Sequence, residues 1–182
     1  MWRQTAAIVL GVAWVSLCGP SGRAQDRRAG QVIRSYVQTL AAAPSVVFPL
    51  LGPVEEARWA EGWAPELLSS EAGIGEGTVF RTRHGGVETV WILTLWDPVL
   101  HRVGYAHVTA GSDVATLRID LLGVGGGMTE ARVTYIWTAL SDQGAALIDR
   151  HTQERFESDM RDWETALNHY LKTGQRLEHH GH

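Results

Sequence analysis

Four of the chain's six prolines fall in one stretch, at Pro44, Pro49, Pro53 and Pro65. Proline fixes its own φ and removes an amide donor, so no long helix or central strand can run through residues 44–65. The segment Pro-Ser-Val-Val-Phe-Pro-Leu-Leu-Gly-Pro-Val-Glu-Glu is therefore cut into two short helical turns. Ser45 can cap the first, over Val46 to Leu51. Pro53 suits the first turn of the second, where no amide hydrogen is needed. Glu55 and Glu56 suit its positive N-terminal end. Trp59 and Trp63 lie four apart, on one face of the second helix or its exit, and Pro65 stops it. A strand candidate comes before, several follow, and one long helix closes the chain. The order β-α-α-β(several)-α predicts an α+β fold, a curved antiparallel sheet wrapped around a long C-terminal helix, with two short helices after the first strand.

The first strand candidate is Val32 to Ala42, where alternation is present but a helical reading also fits. After Pro65 the period changes to two. Strands are expected over Gly77 to Arg83, Val87 to Trp96, His101 to Thr109, Val114 to Leu122 and Thr129 to Leu140. Tight turns join them at His84-Gly85-Gly86, Asp97-Pro98, Ala110 to Asp113 and Gly123 to Gly127, the pattern of an antiparallel meander. Ser141 is placed to cap the last helix, expected over Ala145 to Lys172 and ended by Gly174. Phe156, Met160, Trp163, Leu167 and Tyr170 form one stripe at spacings of three and four. Arg150, Glu154, Glu157, Arg161 and Glu164 are expected on the solvent side.

The N-terminus has the form of a secretory signal peptide over residues 1–24. Arg3 precedes an apolar core from Ala6 to Leu17, and Gly22-Arg23-Ala24 offers small residues at a cleavage site. The core is shorter than the roughly 20 residues that span a bilayer. A retained N-terminal anchor and lipidation at Cys18 are the other readings, though Leu17 is bulky for the second. Cleavage after Ala24 leaves 158 residues (182 less 24), suited to one domain over residues 25–174 and a His-rich tail over 175–182. Loss of Arg3 and Arg23 moves the net charge from −4 to −6. An acidic chain without basic runs argues against nucleic acid and anionic membranes as partners. The single cysteine is Cys18, so the exported chain would hold no disulfide and no thiol nucleophile. The expected location is periplasmic or secreted.

Several residue sets carry a resemblance: Phe48-Pro49-Leu50-Leu51, Pro53 to Glu56, Trp59, Gly62 to Pro65, Val79-Phe80, Thr89-Val90-Trp91, Val133-Thr134-Tyr135 and Trp163-Glu164. Over roughly Gln31 to Gly174 the chain resembles the SRPBCC superfamily, the START/Bet v 1-like helix-grip proteins, and within it the polyketide cyclase/dehydrase and lipid-transport type. The resemblance implies an internal cavity for a hydrophobic small molecule or lipid. Some members are cyclases, dehydratases or hydrolases. They share no universal catalytic motif, so no catalytic residue is carried over and no cofactor is implied.

Pocket candidates come from the alternation. Trp91, Tyr105 with His107, and Tyr135 with Trp137 each share a strand face with apolar residues, and Phe156, Met160 and Trp163 face them from the last helix. Large aromatics with a few polar tips suit a flat or apolar ligand, and they equally suit a filled core. His107 is either a general base or a hydrogen-bonded structural histidine. Arg118 and Asp120 share a face, inward as a head-group site or outward as a charge ladder. His151, Glu154 and Glu157 are spaced along one helix face, but no second cluster completes a metal site. The Gly123 to Gly127 run lacks the Gly-Lys-Ser/Thr ending of a phosphate loop, and no Gly-x-Ser-x-Gly elbow occurs. The expectation is a binding or carrier protein. The alternatives are an aromatase/cyclase-type enzyme using His107, Tyr105 or Tyr135 for proton transfer, and a partner-binding domain without a ligand. Oligomeric state is left open.

Overall fold

The computed structural model describes residues 30–69 and 73–178. The signal segment and the end of the His-rich tail lie outside the described residues. Seven strands form one antiparallel sheet: β1 (Gln31–Leu40), β2 (Glu66–Ser69), β3 (Val79–His84), β4 (Val87–Asp97), β5 (Arg102–Thr109), β6 (Asp113–Gly125) and β7 (Met128–Ala139). Their order is β1-β7-β6-β5-β4-β3-β2, so β2 to β7 run as a meander and β1 closes onto the last strand. The β3–β4 turn is Gly85-Gly86, both at positive φ, as a two-residue hairpin of this hand requires.

Between β1 and β2 lie α1 (Pro44–Val47), a 3-10 turn (Phe48–Leu51) and α2 (Pro53–Glu56). The two expected helical turns are present, but Ser45 caps neither. The helix begins earlier, at Pro44, so the N-cap residue is Ala43, whose methyl group has no acceptor to offer. The strand β2 was not expected. Its four residues sit between Pro65 and residues 70–72 and carry too little alternation to register as period two.

The closing helix is two helices, α3 (Asp142–Ile148) and α4 (Gln153–Thr173), where one was expected. Ser141 caps α3, its hydroxyl accepting from the Gly144 amide at 2.9 Å. Thr152 caps α4 in the same way, accepting from Arg155. A second capping residue inside the predicted helix competes with helix continuation, which is why the chain breaks there. The α4 stripe faces the sheet: Phe156, Met160, Leu167 and Tyr170 are buried and Trp163 is half-buried. Arg161 is exposed, as expected. Glu164 is not simply solvated, because its carboxylate accepts from the Thr39 amide at 3.0 Å. Asn168 accepts from the Ala41 amide at 2.8 Å and donates to the Thr39 carbonyl at 2.9 Å. Gln38, buried, donates to the Met160 carbonyl at 3.0 Å. These bonds clasp α4 to the end of β1, and the core lies between α4, the short helices and the concave sheet face.

Candidate functional site

Pro53 starts α2, and within four residues the chain must place two adjacent carboxylates. Their fates differ. Glu55 turns outward and pairs with Arg58 at 2.7 Å. Glu56 turns inward and is 6% exposed. Glu56 ends α2, and the turns that follow carry Trp59 into the core and Trp63 to the cavity that Glu56 borders. Trp59 is fully buried, and its indole N–H donates to the Leu50 carbonyl at 2.8 Å. The Trp63 indole donates to the Pro53 carbonyl at 2.8 Å. Tyr105 on β5 donates its hydroxyl to the Leu51 carbonyl at 2.7 Å. The proline-cut segment is thus tied from both sides, and Glu56 is carried inward with it.

Glu56 opens on a small cavity between this segment, the sheet and α4. Trp63, Phe80, Trp91 and Trp163 wall it, with Tyr105, Tyr135 and Leu117 on the sheet side. Its free space is about 20 Å³, room for about one water. The rings occupy most of what would otherwise be a ligand chamber. Phe80 and Trp91 stack at 5.9 Å and 6°, and Trp63 meets Trp91 edge-on at 5.6 Å. Trp163 meets Trp59 edge-on at 5.3 Å. The Trp91 indole N–H is taken by the Thr82 hydroxyl at 3.0 Å.

Burial dominates the electrostatics. It pushes the Glu56 carboxyl up to about 8, because nothing in its surroundings replaces the water that a carboxylate needs. At neutral pH Glu56 is therefore mostly a neutral acid. Desolvation, with a smaller contribution from Glu56, also holds the phenols of Tyr105 and Tyr135 above the ordinary tyrosine range.

Four of the eight sequence-predicted residues line this cavity: Trp91, Tyr105, Tyr135 and Trp163. The other four lie elsewhere. Phe156 and Met160 are buried in the core on α4, Phe156 with its ring edge-on to Trp137 and Tyr135. Trp137 stacks on Tyr135 at 4.7 Å and carries His151 flat on its other side at 4.3 Å. His107 lies beneath Trp91, ring centroids 4.3 Å apart. Its Nδ1 is buried with no hydrogen-bond partner among the described residues. Burial pushes His107 down to about 4, so at neutral pH it is uncharged. Sequence reasoning missed Glu56, Trp63, Phe80 and Leu117. The nearness of Glu56 to Trp59 and Trp63 in the chain was the available signal for the first.

The other candidates have simple outcomes. Arg118 and Asp120 point outward and form a ladder with Arg102, the bridges at 3.0 and 3.3 Å. His151 sits in the break between α3 and α4, not on a helix face with Glu154 and Glu157. Among the described residues no three His, Cys, Asp or Glu groups come together as a metal site. None of the described helices is long and apolar enough to cross a membrane.

A curved seven-stranded antiparallel sheet gripping a C-terminal helix, with two short helices after the first strand, is the helix-grip fold. Solved structures of that fold superpose well. Ara h 8.0201 does so with a TM-score of 0.60 at 14% identity, over 79% of this chain and 99% of its own. The Zhui aromatase/cyclase from Streptomyces sp. R1128 gives 0.58 at 12%, over 81% and 100%. A START superfamily protein from Mycobacterium smegmatis gives 0.59 at 11%, over 79% and 98%. At such identities the likeness is one of fold. No family model matches the chain, and no curated protein matches it by sequence.

Proposed function

We propose that this protein binds a small hydrophobic molecule in the cavity between α2, α4 and the concave sheet face. The observation that carries the reading is the wall itself: three indoles and further rings around one buried carboxyl. Apolar walls with one or two placed polar groups are the usual composition of ligand sites. The free space is far below the roughly 300 Å³ of ordinary ligand pockets. A compact ligand therefore fits the reading better than a long-tailed lipid, and its entry requires Trp63 or Trp163, both half-buried, to swing aside. The likeness to a START protein and to an aromatase/cyclase is consistent with this. Native mass spectrometry of protein from its own host tests it. A compact molecule retained at one per chain is expected, and an empty protein that also takes up no apolar probe would refute it.

One observation favours an enzyme as the second reading. Glu56, held near neutral titration, and Tyr135 border the same space, and an acid of that kind can move protons at pH 7. A co-purified compound converted to product, with conversion abolished in Glu56→Gln, would select this reading over simple binding.

Export belongs to the same proposal. Arg3, the apolar core and Gly22-Arg23-Ala24 support a leader cut after Ala24, giving a periplasmic or secreted protein. N-terminal sequencing from the native host should begin at Gln25. A retained Met1, or a lipid on Cys18, overturns export in this form.

A further inference from the structure

We propose that the molecule bound is an organic ammonium ion, its positive charge set against Glu56 and the faces of Trp63, Trp91 and Trp163. This rests on the reading of the cavity as a ligand site and names its chemistry. The first ground is where the donors go. The Trp63 indole is used by the Pro53 carbonyl, the Trp91 indole by the Thr82 hydroxyl and the Tyr105 hydroxyl by the Leu51 carbonyl. These three donors are spent on protein acceptors, so the side chains that carry them meet the cavity with their ring bodies. Ring faces carry the negative part of the aromatic quadrupole and attract cations.

The second ground is the carboxyl. Glu56 is almost wholly buried and borders the cavity, and burial alone accounts for its raised titration, with no cationic group beside it. The cavity lining contains no lysine, arginine or histidine to neutralise it. An anionic ligand would find no cationic side chain in the lining to balance its charge. A neutral apolar ligand would leave the acid unpaired in a dry site, which is costly. A primary ammonium group supplies what is absent: a charge for the ring faces and N–H donors for the Glu56 carboxylate and the Tyr135 hydroxyl.

The third ground is thermodynamic coupling. In the empty cavity the acid is mostly neutral at pH 7. To meet a cation it must ionise, passing its proton to solvent while the ammonium keeps its own. Binding at pH 7 is then accompanied by proton release, and this separates an ion pair from plain apolar uptake.

Isothermal calorimetry on the full-length protein at pH 7, in two buffers of different ionisation enthalpy, tests this with three probes of similar shape: 2-phenylethylammonium, neutral 2-phenylethanol and anionic 3-phenylpropionate. The ammonium probe should bind at least about ten-fold tighter than the alcohol, and the carboxylate weakest. Protons should be released with the ammonium probe alone. Glu56→Gln should erase both the preference and the release. Trp163→Leu, which leaves the carboxyl in place, should weaken the ammonium probe more than the alcohol. If the alcohol or the carboxylate binds as tightly as the ammonium, the cation preference is wrong and the ligand-site reading stands. If none of the three binds, the proposal falls, and the co-purification test above decides by itself whether the ligand-site reading survives.

Discussion

Glu56 and His107 are both buried without charge, and their effects on stability have opposite signs. The Glu56 carboxyl titrates near 4.5 when unfolded and near 8 when folded, so between those values the folded chain holds more protons. Stability from this group is complete below pH 4.5 and is lost as pH rises towards 8. His107 falls from 6.5 to about 4, so the unfolded chain holds more protons between pH 4 and 6.5, and stability rises with pH across that window. The two nearly cancel between pH 4.5 and 6.5. Above that the Glu56 loss stands alone, about 1.4 kcal/mol per pH unit at its steepest. Denaturant unfolding from pH 4 to 9 should therefore show a plateau and then a decline. Glu56→Gln should flatten the alkaline side, and a decline surviving that change would refute the assignment. A second contrast concerns the indoles. Trp59→Ala should cost about 3–5 kcal/mol as a fully buried core truncation. Trp163→Ala, half-buried beside free space, should cost about 1–2 kcal/mol yet impair uptake. Thermal melts with and without ligand, with Arg161→Ala as the near-silent control, check both. At this scale the sequence showed the tryptophans but not the acid. Glu55 and Glu56 look alike as letters, and which one turns inward is set by how the turns after α2 pack.

Elements depend here on close approach and on clasps. Gly144 in α3 packs onto the turn before β6 so tightly that a Cβ would overlap the Ser112 carbonyl. That obstacle is backbone and cannot rotate away. Gly144→Ala should therefore lower the melting temperature markedly, by the ~1–3 kcal/mol of an overpacked site or more. Ser141→Ala, losing only the cap, should cost about 1 kcal/mol. Equal effects would mean that α3 has room to shift. Asn168 is the other clasp, bonding two backbone groups at the end of β1. Asn168→Ala should cost ~1–3 kcal/mol and speed hydrogen exchange at the Ala41 amide, read by NMR or mass spectrometry. Elements with strong periodicity were legible: the meander, its glycine turns and the α4 stripe all appear where the pattern put them. Boundaries set by competition were not. Thr152 inside a helical pattern looks like one more polar residue until its cap forms, and β2 is held by pairing with β3, which no local pattern encodes.

The whole molecule is closed by its first and last strands. Gln31 pairs with Thr138 and Leu40 with Thr129, so nearly the full chain must be in place before the sheet is complete. Such long-range pairing predicts refolding on the millisecond-to-second scale, which stopped-flow tryptophan fluorescence would read, whereas a microsecond phase that completes the signal would contradict it. The fold was legible because it depends on element order, which proline, glycine and period reveal. The near-filled cavity was not, because how far rings from six separate segments fill a space is a matter of rotamers and register. Those rings have one more consequence. His151, Trp137 and Tyr135 lie almost parallel in one stack, and Phe80 and Trp91 in another, at fixed angles inside a chiral interior. They form a coupled set of chromophores. The near-ultraviolet circular dichroism of this protein should be strong for its size. It should change when a guest displaces Trp63 or Trp163, and it should vanish on loosening of the interior before the far-ultraviolet signal does. The protein thus carries an unlabelled optical gauge of whether its interior is shut, occupied or lost.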